Sequence, residues 1–72
     1  MAIVKVIEVL AQSEKGWEDA AQQALLETRK TVRNIQSIYI KEFQAIVNER
    51  QEISLYRVNA KISFLVDESR PE

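Results

Sequence analysis

Residues 53–66 read ISLYRVNAKISFLV, and apolar and polar side chains alternate along them. The even positions carry Tyr56, Val58, Ala60, Ile62, Phe64 and Val66, and the odd positions between them carry Arg57, Asn59, Lys61 and Ser63. A period of two over such a length predicts a β-strand with one face against a core. We expect the even-numbered side chains to face a helix and the odd-numbered ones, including Arg57, to point away from it.

A second strand is predicted at residues 35–47, and its alternation slips within the strand. Ile38 and Ile40 share one parity, whereas Phe43 and Ala45 have the other. A slip of one residue exchanges the two faces of a strand, so we expect a bulge or sharp twist near Lys41. The polar residues 48–52 then predict a turn, which makes the last two strands a long hairpin.

The N-terminal part of the chain predicts a strand at residues 3–11 and a helix at residues 17–32. The strand sequence IVKVIEVLA is rich in β-branched residues and is apolar at both parities. Because a strand that is apolar on both faces is covered on both faces, and one helix covers only one, we expect a second copy to supply the other cover. The helix has acidic residues in its first turn and follows Gly16 or Ser13 as alternative N-caps.

These elements predict an α+β fold of one domain spanning residues 1–72. The order is β-α-β-β, with a three-stranded antiparallel sheet in the order 1-3-2 packed on one helix. Residues 67–72 are expected to form a loose tail.

Composition restricts the class of protein. The chain has 72 residues, of which 46% are hydrophobic, with no Cys or His and a net charge of −1. Disulfides and the common zinc sites are therefore excluded, which leaves partner subunits as the route by which so small a domain gains stability. The scattered basic residues argue against nucleic acid as a partner, and the short apolar runs argue against a membrane span or a signal peptide.

Catalysis has little support in the sequence. Without His or Cys, and with Gly16 as the only glycine, the chain lacks the usual nucleophile and phosphate-loop patterns. We expect a cytoplasmic protein that is not an enzyme.

Four segments together resemble the dodecin family: VKVIEVL at 4–10, GWEDAAQQAL at 16–25, TVRNI at 31–35 and the strand at 53–66. Dodecins are small β-α-β-β proteins that form hollow twelve-subunit shells, and the best-known members bind flavins. The resemblance therefore implies a homododecamer, with FMN or riboflavin as the family ligand. It also implies that Trp17, which matches the family's helix-start Trp, is structural.

Two positions depart from the flavin-binding pattern. In RNIQSIYI, Ser37 replaces the Trp that stacks on the flavin ring, and in LYRV, Arg57 replaces the Gln that hydrogen-bonds the flavin edge. Serine has no π-face, and the Arg side chain donates hydrogen bonds but cannot accept them. Tyr39, two residues from Ser37 on the same face, is the nearest replacement aromatic. The predicted ligand-binding residues are therefore Ser37, Tyr39 and Arg57, although Ser37 and Arg57 are equally compatible with an ordinary interface.

Two functions remain open from the sequence. The first is a dodecin-type shell that binds or stores a small ligand, with its classical flavin site degraded. The second is a structural or ion-binding assembly, because some dodecins that lack the stacking Trp are linked to calcium. Glu42, Glu49 and Glu52 supply oxygen ligands of the kind calcium prefers, but no loop of the sequence has the D-x-D-x-D-G spacing, and solvated surface is the simpler interpretation.

Overall fold

A computed structural model describes residues 3–66 and has the predicted β-α-β-β order. The elements are β1 (Ile3–Ser13), α1 (Trp17–Thr28), β2 (Ile35–Val47) and β3 (Ile53–Val66). The three strands form one antiparallel sheet in the order β1-β3-β2, which confirms the predicted fold class. The predicted loose tail at 67–72 lies outside the described residues.

The bounds of β1 and α1 differ from the prediction, whereas those of β2 and β3 agree with it. β1 continues to Ser13 instead of ending at Ala11, because the pairing with β3 extends to Tyr56. The helix ends at Thr28 instead of reaching Val32. After Thr28 the amides of Lys30 and Thr31 bond to carbonyls three residues back, the tighter geometry with which helices often end.

The N-cap of α1 is Gly16, whose carbonyl accepts from the amide of Ala20 at 3.0 Å. Ser13 has another role. Its buried Oγ donates to Asp19 Oδ2 at 2.6 Å and accepts from the amide of Lys15 at 2.9 Å. Ser13 therefore ties the end of β1 to the first turn of α1.

The hydrophobic core lies between α1 and the even-numbered face of β3, as predicted. Val58, Ala60 and Ile62 of β3 are fully buried, and Ala20 and Ala24 of α1 lie against them. Small residues on the helix allow it to approach the sheet closely. This core is short compared with the strands, so much of the apolar surface remains uncovered.

The slip predicted near Lys41 is a β-bulge. The register of β2 against β3 shifts between Ile40 and Glu42, so Phe43 takes its place on the side of the sheet that carries α1. Lys41 and Glu42 consequently both lie on the opposite side, because a bulge places two successive residues against one partner.

Within residues 3–66, no helix has the length and apolar character needed to cross a bilayer.

Candidate functional site

The surface of the sheet that faces away from α1, called here the open face, carries the predicted ligand-binding residues. Its centre consists of four cross-strand rows, each with one residue from β1, β3 and β2. In order along the sheet the rows are Val6–Ser63–Ser37, Glu8–Lys61–Tyr39, Leu10–Asn59–Glu42 and Gln12–Arg57–Gln44. Side chains in one row are neighbours, since directly opposed residues have Cβ atoms about 5 Å apart.

Ser37 is hydrogen-bonded within its own row. Its Oγ lies 2.6 Å from Ser63 Oγ, and either hydroxyl can donate. Two small hydroxyls leave this part of the open face low and polar, without a surface on which an aromatic ring can stack. Tyr39 lies in the next row, opposite Lys61, and its side chain is 64% exposed. Tyr39 is therefore the aromatic ring available beside Ser37.

Arg57 lies at the other end of the four rows and is held from both sides. Its Nε donates to Gln12 Oε1 of β1 at 2.9 Å, and Nη1 is 3.5 Å from Gln44 Oε1 of β2. Arg57 itself is half-buried. The two glutamine carbonyls therefore fix the plane of the guanidinium group.

Ser37 and Arg57 share the open face but do not meet within one chain. Ser63, the partner of Ser37, is six positions from Arg57 along β3, which corresponds to about 20 Å at the rise of an extended strand. The structure thus brings Tyr39 near Ser37 and leaves Arg57 at a distance. A ligand of ordinary size touches both ends only if residues of two copies meet.

A charged bridge crosses the middle of the open face. Lys41 Nζ of β2 reaches Glu8 Oε2 of β1 at 3.4 Å, and it spans the central strand to do so. Beneath it, Asn59 Nδ2 lies 3.5 Å from Glu42 Oε1, and the buried Asn59 Oδ1 accepts no hydrogen bond. The hydrogen bond from Asn59, followed by the charge of Lys41, lowers the pKa of Glu8 below its ordinary value of 4.5.

Trp17 has the structural position that the family resemblance implied. Its ring makes edge-to-face contacts with Tyr56 and Phe43, at centroid distances of 4.9 and 5.7 Å. Its Nε1 donates to the backbone carbonyl of Gln44 at 3.0 Å. Trp17 therefore anchors the start of α1 to β2 on the face opposite the predicted ligand-binding residues.

The three glutamates considered for calcium do not come together. Glu42 lies on the open face beside Asn59, while Glu49 is in the turn between β2 and β3 and Glu52 ends that turn. Across residues 3–66, no group of three or more acidic side chains has a metal-binding arrangement. These glutamates therefore do not form a calcium site within one chain.

Sequence reasoning missed Gln12 and Gln44, the residues that orient Arg57, and it missed Ser63 and the Lys41–Glu8 bridge. Each becomes visible only when the cross-strand register is known. These residues become neighbours through the pairing of two strands. The alternation of side chains within each strand does not predict which residues are paired.

Comparison with known proteins gives a consistent result. A protein-family model described as Dodecin matches residues 3–67. The Dodecin of Thermus thermophilus is 31% identical over 67 residues, covering 93% of this chain and 96% of that protein. The crystal structure of a mutant of the T. thermophilus dodecin superposes with a TM-score of 0.88 at 30% identity, covering 96% of this chain and 100% of the other.

The second relative is the Calcium dodecin of Mycobacterium tuberculosis. It is 30% identical over 71 residues, covering 99% of each chain. Its crystal structure, described as that of a calcium-chelating antigen with a calcium-binding site, has a TM-score of 0.80 and covers 97% of this chain and 99% of the other.

Proposed function

The chain belongs to the dodecin family, and we propose that it forms an oligomeric shell that binds or stores a small ligand at a site where the classical flavin subsite is degraded. The surface that one copy leaves uncovered supports the assembly, and the hydroxyl of Ser37 supports the choice of ligand.

The observation that carries the assembly is the amount of surface left uncovered by one copy. A compact monomer of this mass exposes about 4,600 Å², whereas this chain exposes 5806 Å². The excess, about 1,200 Å², is larger than the area that one partner contributes to a standard protein interface. The exposed surface includes large apolar side chains on both edges of the sheet, among them Val6, Leu10 and Phe43. Burial of these side chains against further copies of the chain removes the free-energy cost of exposing them to water.

The ligand choice follows from Ser37. At the position where flavin-binding dodecins have a stacking Trp, this chain has a hydroxyl that is hydrogen-bonded to Ser63. Stacking of a base on an aromatic side chain contributes about 1–3 kcal/mol in nucleic-acid binders, and a flavin ring is larger than a base. The chain lacks that contribution at every copy of the site, so FMN and riboflavin are expected to bind weakly.

A second candidate function is ion binding by a non-flavin assembly. The observation that favours it is the calcium dodecin relative at 30% identity over 99% of this chain. Since the acidic side chains of one copy do not converge, a calcium site in this chain requires oxygen ligands from more than one subunit. Neither candidate gives the protein a catalytic role, and we propose that it is not an enzyme.

Thermal unfolding in the presence of FMN, riboflavin, coenzyme A or calcium distinguishes the two candidates. A ligand that binds only the folded state raises the midpoint, and the shift grows with the logarithm of the ligand concentration divided by its Kd. We expect little shift with either flavin. A shift with coenzyme A supports storage of a small organic ligand, and a shift with calcium alone supports the second candidate. A large shift with FMN or riboflavin contradicts the degraded flavin site.

A further inference from the structure

The guanidinium group of Arg57 is fixed by neutral partners. Gln12 and Gln44 contribute only carbonyl oxygens to it, one from each neighbouring strand. Gln44 is in turn held through its backbone by Trp17, whose Nε1 donates to the carbonyl at 3.0 Å. The orientation of the guanidinium group is therefore set before any ligand arrives.

No acidic side chain neutralises Arg57 within residues 3–66. The ion pairs of this part of the chain join Lys30 to Glu27 and Lys41 to Glu8. Glu42, in the adjacent row, lies next to the amide of Asn59. A guanidinium group is protonated at every physiological pH, and partial burial removes some of the water that would otherwise solvate its charge. An anion bound to it would restore that lost stabilisation.

Most of the hydrogen-bonding capacity left over in this row is that of donors. Arg has five N–H donors, and the two contacts to glutamine carbonyls use two of them. Because each glutamine turns its carbonyl toward Arg57, its NH₂ group faces elsewhere and can also donate. The two glutamine oxygens, the acceptors of this row, are already turned toward Arg57, so the row suits a ligand group that accepts hydrogen bonds better than one that donates them.

We propose that Arg57, flanked by Gln12 and Gln44, binds an oxyanion of the stored ligand, a carboxylate or a phosphate group. This inference rests on the proposed ligand-binding shell and names the chemical class of its ligand. A guanidinium fork matches two oxygens of either group, and the interaction is charge-assisted on both sides.

The test uses the assembled protein and two probes, inorganic phosphate and acetate, each compared with chloride at equal ionic strength. Thermal unfolding midpoints are measured for the unmodified protein, for Arg57→Gln and for Lys61→Gln. Lys61 lies on the same face of β3, two rows away, so its variant removes an equal charge without touching the row of Arg57. The oligomeric mass of each variant is measured in parallel.

We expect phosphate, acetate or both to raise the midpoint of the unmodified protein and of Lys61→Gln, with an apparent affinity at least about tenfold weaker in Arg57→Gln. The probe that acts identifies the group as phosphate or carboxylate. An equal loss of anion affinity in Arg57→Gln and Lys61→Gln would overturn the inference, because it would indicate unspecific screening of positive charge. It is also overturned by the absence of any shift, or by a smaller oligomer in Arg57→Gln alone, which would make a carboxylate of a second copy the counter-ion. If the unmodified protein is itself monomeric, the proposed shell fails instead.

Discussion

We propose that single side chains on the open face determine which ligand this chain holds. By the family resemblance, Ser37 and Arg57 stand where flavin-binding members have Trp and Gln, and both are hydrogen-bonded to neighbours of their own row. Reverting them tests whether the rest of the cleft is intact. We predict that Ser37→Trp combined with Arg57→Gln gains at least tenfold in flavin affinity, measured by quenching of flavin fluorescence, because the stack is worth about 1–3 kcal/mol or more.

The matched control for that experiment is Tyr39→Trp combined with Arg57→Gln. It places the same indole on the same face one row away, opposite Lys61, and should quench much less. Micromolar quenching by the unmodified protein would contradict the role given to Ser37. Equal quenching by the two double variants would show that indole content, and not position, governs binding.

The buried side chain of Ile62 is the largest in the core. We predict that Ile62→Ala lowers the free energy of unfolding by about 2–5 kcal/mol, since it removes buried methyl groups and leaves a cavity. Urea unfolding at a fixed protomer concentration measures the change. Ile62→Val removes only one methyl group from the same position and should cost about 0.5–1.5 kcal/mol; equal losses in the two variants would contradict this account of the core.

For single side chains, the sequence predicted the face of the sheet on which each one lies but not which residues of the adjacent strands lie beside it. Parity along β3 correctly placed Arg57 on the face opposite the helix and Ile62 on the face toward it. It carried no information on which residues of β1 and β2 lie beside Arg57, or on the distance between Ser37 and Arg57. Those depend on register, which bulges shift by whole residues.

Among the elements, β2 is the one whose irregularity shapes both faces of the sheet. The bulge between Ile40 and Glu42 brings Phe43 to Trp17. We predict that deletion of Lys41 alone removes the bulge but leaves Phe43 beside Trp17, so that the emission of Trp17 is unchanged. Deletion of both Lys41 and Glu42 should move Phe43 to the open face and shift the emission of Trp17 to longer wavelength. Lys41→Ala keeps the bulge and should leave the emission unchanged. A shifted spectrum in a folded variant that lacks only Lys41, or an unshifted spectrum in a folded variant that lacks both residues, would contradict this account of the bulge.

The bridge between β1 and β2 makes stability depend on acidity. The pKa of Glu8 is lowered, first by the hydrogen bond with Asn59 and then by Lys41. The ionised carboxylate is therefore the form that stabilises the fold. Its contribution is present above the unfolded value of 4.5 and is lost as the pH falls through the lower folded value.

We predict that the difference in unfolding midpoint between the unmodified protein and Glu8→Gln is constant above pH 4.5 and shrinks as the pH falls below it. Lys41→Met should return the pKa of Glu8 part of the way to its ordinary value, as followed by NMR titration of the carboxyl carbon. A midpoint difference that grows on acidification would contradict the assigned direction of the shift.

The elements themselves were largely predictable. Strong alternation fixed β2 and β3 to the residue, and the slip at Lys41 was visible because Phe43 and Ala45 break the parity of Ile40. The end of α1 was not, because Thr31 and Val32 continue the apolar stripe although the backbone tightens after Thr28. The hydrophobic pattern predicts which side of a helix is covered. It does not predict where backbone hydrogen bonds to the fourth residue back give way to bonds to the third.

The molecule as a whole is elongated, at 56 × 19 × 17 Å with a radius of gyration of 15.2 Å. A compact chain of this length has a radius of about 11 Å. A long hairpin that projects beyond a short core is a poor design for a lone monomer, since it exposes side chains such as Val47 and Ile53 at its tip. The same shape provides several separate surfaces for contacts with further copies.

We propose that this elongated chain functions within an assembly of identical copies, and the mass of the particle in solution tests this most directly. Size-exclusion chromatography with multi-angle light scattering at micromolar protomer concentration should give one species of about 100 kDa, the dodecamer implied by the family for a chain of 8.3 kDa. Circular dichroism on the same sample should show mixed strand and helix. A folded species with the mass of a single chain would contradict the account.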